Sequence, residues 1–255
     1  MTLERLGKSW LVSPRLQACH GFSTRLGGVS APPMDSLNLG LSTGDERSRV
    51  LENRRLAASA LGLVAPPVLV NQVHGIEVTE VTEAGPALER ADALWTRTPG
   101  VSVGVLVADC IPILLEDRRS GAVAAVHAGW RGAVAGIAAR TVQTLVGEIG
   151  SDPRDLVAVL GPGIGPCCFE VGPEVVAALA VVPGGAGGLW HVPPGKTKAH
   201  VDVAGISARY LVSMGVTEMV VTGPCTACEP ELFFSHRRDR GQTGRMMAAI
   251  ACRKS

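Results

Sequence analysis

Net charge is almost absent from this chain. Its 24 Lys and Arg stand against 23 Asp and Glu and leave a formal +1. That balance gives no bulk attraction to nucleic acid or to an anionic membrane, so any anion must be recognised by a local cluster. No apolar run approaches the ~20 residues that a bilayer span requires, and the opening MTLERLGKSW lacks the apolar core of a secretory signal. Seven cysteines are an odd number for a disulfide framework. The expectation is a reducing, cytoplasmic setting with thiols free or bound to metal. The sequence also lacks a GxGxxG fingerprint, and its one CxxC, Cys225 with Cys228, has no second CxxC to complete a four-sulfur zinc site.

What is present is a good core. With 46% hydrophobic residues and a mean hydropathy of +0.26, 255 residues can bury a large interior. No linker or shift of composition divides them, so a single domain over residues 1–255 is expected. Short apolar runs bounded by turn signals read as strands: Leu11 to Phe22, Val68 to Val73, Val101 to Val107, Ile111 to Leu115, Ala122 to Val126, Leu156 to Leu160 and Glu218 to Val221. Helical spacing marks Arg47 to Leu61, Gly132 to Ile149, Glu174 to Val181 behind Pro173, and a segment from Val201 to about Met214. Pro183 to Gly195 reads as an exposed loop, and the chain ends in a basic turn and a closing strand. Strands and helices interleave with both hairpin and crossover signals. This favours a mixed sheet, or two sheets flanked by helices, over a doubly wound fold.

The chain is organised around Val101 to Gly136. If Asp117 to Ser120 closes a hairpin, positions whose numbers sum to 237 face each other, which sets Cys110 against His127. Opposed Cα atoms in such a pair lie roughly 4.5 to 5.5 Å apart, close enough to share one metal ion or one proton. Pro112 cannot donate to a ladder and implies an edge position or a bulge beside Cys110.

His74, Cys110 and His127 each follow an apolar strand and precede a turn. One Cys and two His form a zinc set with an open fourth position, the pattern of a catalytic site. The spacing matches no local zinc motif, and singly each residue reads more readily as a buried core group; it is the predicted cross-strand register that brings a shared site level with that reading. The same residues also read as a thiol nucleophile, Cys110, activated by His127. Asp109 suits either chemistry, or simply a turn. The Val68 to Val73 strand delivers Gln72 beside His74. Pro162 and Pro166 deprive the GPGIG loop of phosphate-binding amides, and the adjacent Cys167 and Cys168 are poorly placed to chelate together. Arginine clusters occur at 236–240 with Arg245, and at Arg25 and Arg131. A charge run is usually a solvated face, but Arg131 lies at a helix start, where amides also favour anions.

Taken together, TRLGGVS (24–30), SLNLG (36–40), ENRR (52–55), NQVHG (71–75), ADCIPILL (108–115), HAGWRG (127–132), GPGIGPCCFEVG (161–172) and FFSHRRDRGQTGR (233–245) resemble the YfiH/YlmD family. It is also called the polyphenol oxidase or laccase-domain family and the peptidoglycan editing factor family. The resemblance implies an α+β fold, an αββα sandwich with mixed sheets similar to a cysteine deamidase toxin and to cysteine hydrolases. It implies zinc on His74, Cys110 and His127, with copper as an alternative metal. The implied activity is purine nucleoside phosphorolysis on adenosine, inosine or methylthioadenosine, with adenosine deamination. Cys110, His127, His74 and Asp109 would then be catalytic, and Arg25, Gln72 and Arg131 would contact substrate. Partners are a small-molecule nucleoside and phosphate, with no nucleic acid, no membrane and a monomeric chain. Ser42 stands where relatives often carry His. Six histidines without a single HxH do not suit a blue multicopper centre, which disfavours the oxidase reading. Two alternatives stay open: a cysteine hydrolase or amidase acting on peptidoglycan precursors, and a metal-stabilised binding module.

Overall fold

The computed structural model describes residues 3–85, 88–221 and 223–253. Among these residues two main sheets face each other, with helices on both outer sides. The first sheet has the strand order Glu4–Leu6, Trp10–Val12, His20–Ser23, Met246–Ala251, Ser102–Val107, antiparallel throughout. The second runs Glu218–Val221, Leu156–Leu160, Ile111–Asp117, Val123–Ala128, Ala93–Thr96, Val78–Glu80. Its outermost pairings are parallel and its inner ones antiparallel. A small sheet of Glu170–Val171, Ala199–Val201 and Trp190–His191 and a pair, Val70–Asn71 with Leu88–Arg90, complete the strands.

The central strands are continuously apolar because both of their faces are covered. In Val123–Ala128, Val123 and Ala125 point between the sheets, where they join Phe22, Val103, Val105, Leu114, Val159 and Ile250. Ala124 and Val126 point the other way, into a core with Ile113, Leu115 and Leu160. Helix α1 (Arg47–Leu61) covers the five-stranded sheet, with Ala57 and Leu61 against Trp10, Met247 and Ala249. Helices α2 (Trp130–Val134), α3 (Ile137–Ile149), α4 (Pro173–Ala178) and α5 (Val203–Ser213) cover the six-stranded sheet. The result is the αββα sandwich. No helix among the described residues is long and apolar enough to cross a membrane.

Several expectations shift in detail. The run Leu11 to Phe22 is two strands separated by a turn at Pro14. The segment read as one helix from Gly132 is two, because Gly136 takes a left-handed φ of 87° between α2 and α3. A Cβ there would also sit 3.0 Å from the Tyr210 ring. The loop at Pro183 to Gly195 contains the short strand Trp190–His191. The central hairpin turns on Arg118 to Gly121, so paired positions sum to 239 and His127 faces Pro112, not Cys110. Pro112 is on neither an edge strand nor a bulge. It is the second residue of an interior strand, where its carbonyl still accepts from Gly161 N (2.9 Å). The slip of two residues preserves every side chain's face, so Cys110 and His127 remain on one side of the hairpin.

Two consequences place the site. Ser102–Val107 belongs to one sheet and Ile111–Asp117 to the other, so Ala108-Asp109-Cys110 is the chain's crossing between sheets at the sandwich's end. On α1, buried Asn53 gathers the glycine-rich loops of the N-terminal region. Its Nδ2 donates to Ser30 Oγ, Ser36 O and Asn38 O, and its Oδ1 accepts from Val29 N. Asn38 Oδ1 in turn accepts from Arg245 N (2.9 Å), which ties those loops to the C-terminal strand.

Candidate functional site

The crossing opens into a cavity of about 440 Å³ whose walls include His74, Cys110 and His127. One ligand atom from each lies within 4.8 Å of the others, and Cys110 Sγ is 3.8 Å from His74 Nε2. The two imidazoles meet edge to face with centroids 4.8 Å apart. A tetrahedral zinc ion would space a sulfur and a nitrogen ligand about 3.6 Å apart, so this donor set fits such an ion.

Asp92 orients two of the three. It is fully buried at the start of Ala93–Thr96 and belongs to none of the motifs above. Its Oδ1 accepts from His127 Nδ1 (2.8 Å) and His74 N (2.9 Å), and its Oδ2 accepts from Gly75 N (2.6 Å) and Val73 N (3.2 Å). Burial acts to raise this carboxyl's pKa, but His127 and the amides of Gly75 and Val73 outweigh it and hold the pKa below its ordinary value. An ionised Asp92 keeps a proton on His127 Nδ1 and leaves Nε2 free for a metal or a proton. The amides it collects hold His74 at a left-handed φ of 59°.

Burial likewise acts to raise the Cys110 thiol, yet the charges and hydrogen bonds of His127 and His74 bring its pKa down to about 6. For His127, burial acts downward, and Cys110 with Asp92 push the pKa up to about 9. Without metal the pair is therefore thiolate and imidazolium near neutrality. Gly129 leaves room for this: a Cβ there would lie 2.6 Å from His74 Cδ2 and 3.2 Å from Cys110 Sγ.

The other sequence-named residues divide. Asp109 lines the cavity at a φ of 85°, with Oδ1 accepting from Thr226 Oγ1 (2.6 Å) and Oδ2 from Arg237 N (2.7 Å). Gln72 also lines it, but its amide is spent on Leu106, accepting from N and donating to O at 2.7 Å each. Arg25 and Arg131 are not among the lining residues. Arg25 bonds Asp35 O and Pro230 O, pairs with the Asp35 carboxylate and stacks on Phe234. Arg131 is exposed and stacks on Trp130.

The cavity's guanidinium groups are instead Arg237 and Arg245, from the basic stretch read as a solvated face. Arg237 lies over Phe169 and donates to Glu170 O. Arg245 donates through Nη1 to Thr243 O and Gly244 O; among the described residues nothing pairs with its Nε or Nη2. Burial lowers its pKa against the opposing pull of Cys110 and Asp109. Position carried a usable signal, since Arg245 immediately precedes the strand Met246–Ala251, a strand-end placement like that of His74. Asp92 also had one, as the lone carboxylate in Ala91 to Trp95. Ser42, Asn71 and His236 add polar groups to the cavity wall, and Ile164 and Phe169 add apolar ones.

Fold and site together define an α+β sandwich protein with a Cys-His-His donor set at the crossing between its sheets. Residues 19–253 match the profile of the family described as multi-copper polyphenol oxidoreductase laccase, and the chain belongs to that family. It is 42% identical over 241 residues to the purine nucleoside phosphorylase YfiH of Shigella flexneri, covering 94% of this chain and 96% of that one. It is 43% identical over 246 residues to a purine nucleoside phosphorylase of Deinococcus radiodurans, covering 96% and 93%. The crystal structure of YlmD from Geobacillus stearothermophilus superposes with a TM-score of 0.93 at 36% identity, over 99% of each chain.

Proposed function

We propose that this protein is a purine nucleoside phosphorylase that holds zinc on His74, Cys110 and His127 and also deaminates adenosine. The observation that carries the reading is the convergence of these three donors on a nucleoside-sized cavity, in a chain over 40% identical to phosphorylases along nearly its whole length. Zinc bound there would supply Lewis acidity toward an oxygen nucleophile; copper would fit the same donors.

The chain's own groups do the rest. Arg245, with Nε and Nη2 open, and Arg237 offer guanidinium forks to phosphate. Phe169 and Ile164 form an apolar wall against which a purine can lie, and Asn71 offers amide donors and an acceptor. In phosphorolysis a phosphate oxygen bonds to C1′ as the C1′–N9 bond breaks, and the base leaves with that electron pair and takes up a proton. In deamination water adds at C6 and ammonia departs. Asp92 fixes the ring of His127 throughout. Asp109 holds the wall that carries Arg237 through that residue's amide.

The test is incubation with adenosine or inosine, with and without phosphate, at stoichiometric zinc, followed by chromatography. Free base that appears only with phosphate, together with inosine formed from adenosine, is expected. Absence of both free base and inosine would refute the reading.

One observation favours a second reading. Cys110, His127 and Asp92 form a thiolate, imidazole and carboxylate array suited to a cysteine hydrolase or amidase. Such an enzyme keeps its activity in chelator and loses it to iodoacetamide. The zinc enzyme loses activity to chelator, and metal protects its thiol.

A further inference from the structure

A second sulfur cluster lies outside the cavity. Cys167 and Cys168 follow the strand Leu156–Leu160, Cys225 and Cys228 follow the strand Glu218–Val221, and those strands are parallel neighbours. Both loops therefore leave the same end of the sheet side by side. An isolated bridge pairs Gly163 with Cys225, and Thr226 N donates to Gly163 O (3.0 Å). The four sulfurs lie within 4.8 Å of one another, with Cys228 Sγ 3.6 Å from Cys167 Sγ and 3.4 Å from Cys168 Sγ. Adjacency does not keep Cys167 and Cys168 apart from a common point, because the turn at Gly165, with Cys168 N and Phe169 N both bonded to Gly165 O, aims both thiols at Cys228.

We propose that these four cysteines bind a structural zinc ion. Four sulfurs about 2.3 Å from one zinc stand about 3.8 Å apart along the tetrahedron's edges, and separations of 3.4 and 3.6 Å within a group no wider than 4.8 Å need only small side-chain shifts to reach it. A disulfide needs sulfurs about 2.05 Å apart, and none of the measured pairs approaches that. An iron–sulfur cluster spreads its cysteine ligands around several metal atoms, wider than this group. Gly165 N donates to Cys225 Sγ (3.3 Å), the kind of amide contact that steadies a ligating thiolate. With four protein ligands the site is closed, which marks it as structural rather than catalytic.

Its position gives it a task. The stapled loops carry Ile164 and Phe169 into the cavity wall, and Thr226, next to Cys225, donates to Asp109. Ile164 N bonds Asp109 O (2.7 Å), and Arg238 Nη1 bonds Thr226 O (2.9 Å). The ion would fix the part of the wall built from Ile164, Phe169 and Asp109 without touching substrate.

The experiment uses the full chain carrying Cys110→Ser, which removes the sulfur of the cavity set, so its outcome does not depend on the proposed phosphorolysis. After a wash that strips weak sites, about one zinc ion per chain is expected, released by about four equivalents of a mercurial thiol reagent beyond those taken up by Cys19 and Cys252. Cobalt in its place should show intense sulfur-to-metal charge transfer and the visible bands of a tetrahedral thiolate site. Adding Cys225→Ser and Cys228→Ser should lower the retained zinc at least about tenfold. If that variant does not fold, the cobalt spectrum of Cys110→Ser decides alone. Retention of no zinc, a cobalt spectrum without thiolate charge transfer, iron–sulfur absorption, or a disulfide in reducing buffer would each overturn the proposal.

Discussion

Replacing Asp92 by Asn probes the site at the group on which its geometry converges. The carboxylate accepts from four donors, two on each oxygen, and has no exposed surface. An amide has one acceptor oxygen, so whichever way Asn turns, its NH2 faces donors it cannot satisfy. With the oxygen toward Val73 N and Gly75 N, the NH2 meets His74 N and His127 Nδ1. His127 can then relieve one clash only by moving its proton to Nε2, the nitrogen needed by a metal. With the opposite orientation, the amides of Val73 and Gly75 are stranded. In the metal-free protein the first orientation with a shifted His127 proton costs least and strands one buried donor, His74 N, which at about 1 to 3 kcal/mol predicts a loss of about that size in unfolding free energy. That is a large share of the 5 to 15 kcal/mol typical of a domain. Loss of the orienting carboxylate should also weaken zinc binding about 10- to 100-fold. Urea unfolding of the metal-free protein measures the first effect, and zinc competition against a chromophoric chelator measures the second. An Asp92→Asn protein with unchanged stability and unchanged zinc affinity would refute the assignment of Asp92 as the organiser of His74 and His127.

Three further outcomes are expected. Metal-free protein should react with iodoacetamide at Cys110 with a midpoint near pH 6, because the thiolate is the nucleophile and its pKa lies at about 6 rather than 9.0; a midpoint near the ordinary thiol value would contradict the Cys110–His127 pairing. The signs for stability follow: the contribution of Cys110, whose pKa is lowered, is lost as pH falls through about 6, and that of His127, whose pKa is raised, is lost as pH rises through about 9. Arg245→Ala should raise the KM for phosphate about tenfold or more, whereas Arg131→Ala, outside the cavity wall, should leave it unchanged; steady-state phosphate titrations of both variants check this, and the reverse ranking would restore Arg131 as the anion ligand.

Much of the architecture is a local property of the chain. Doubly covered strands must be apolar on both faces, so Val123–Ala128 and Leu156–Leu160 announce themselves as unbroken runs, and α1 follows from its own apolar spacing. The candidate ligands were legible for a related reason: His74, Cys110 and His127 are polar groups at or beside the ends of such runs, where the chain leaves a sheet. Tertiary structure decided what depends on where separate segments meet. The hairpin register turned on how many residues the loop takes, and a shift from 237 to 239 lies within the freedom of a turn. Arg25 and Arg131 look as well suited to phosphate as Arg237 and Arg245, since a guanidinium carries no mark of which segment will lie beside it. What Asp92 holds, and where the four cysteines meet, were decided in the same way. A carboxylate that collects donors from residues 73 to 75 and 127, or sulfurs brought together from positions 167 and 228, owe their role to proximity created by sheet order, and no neighbouring residues encode it.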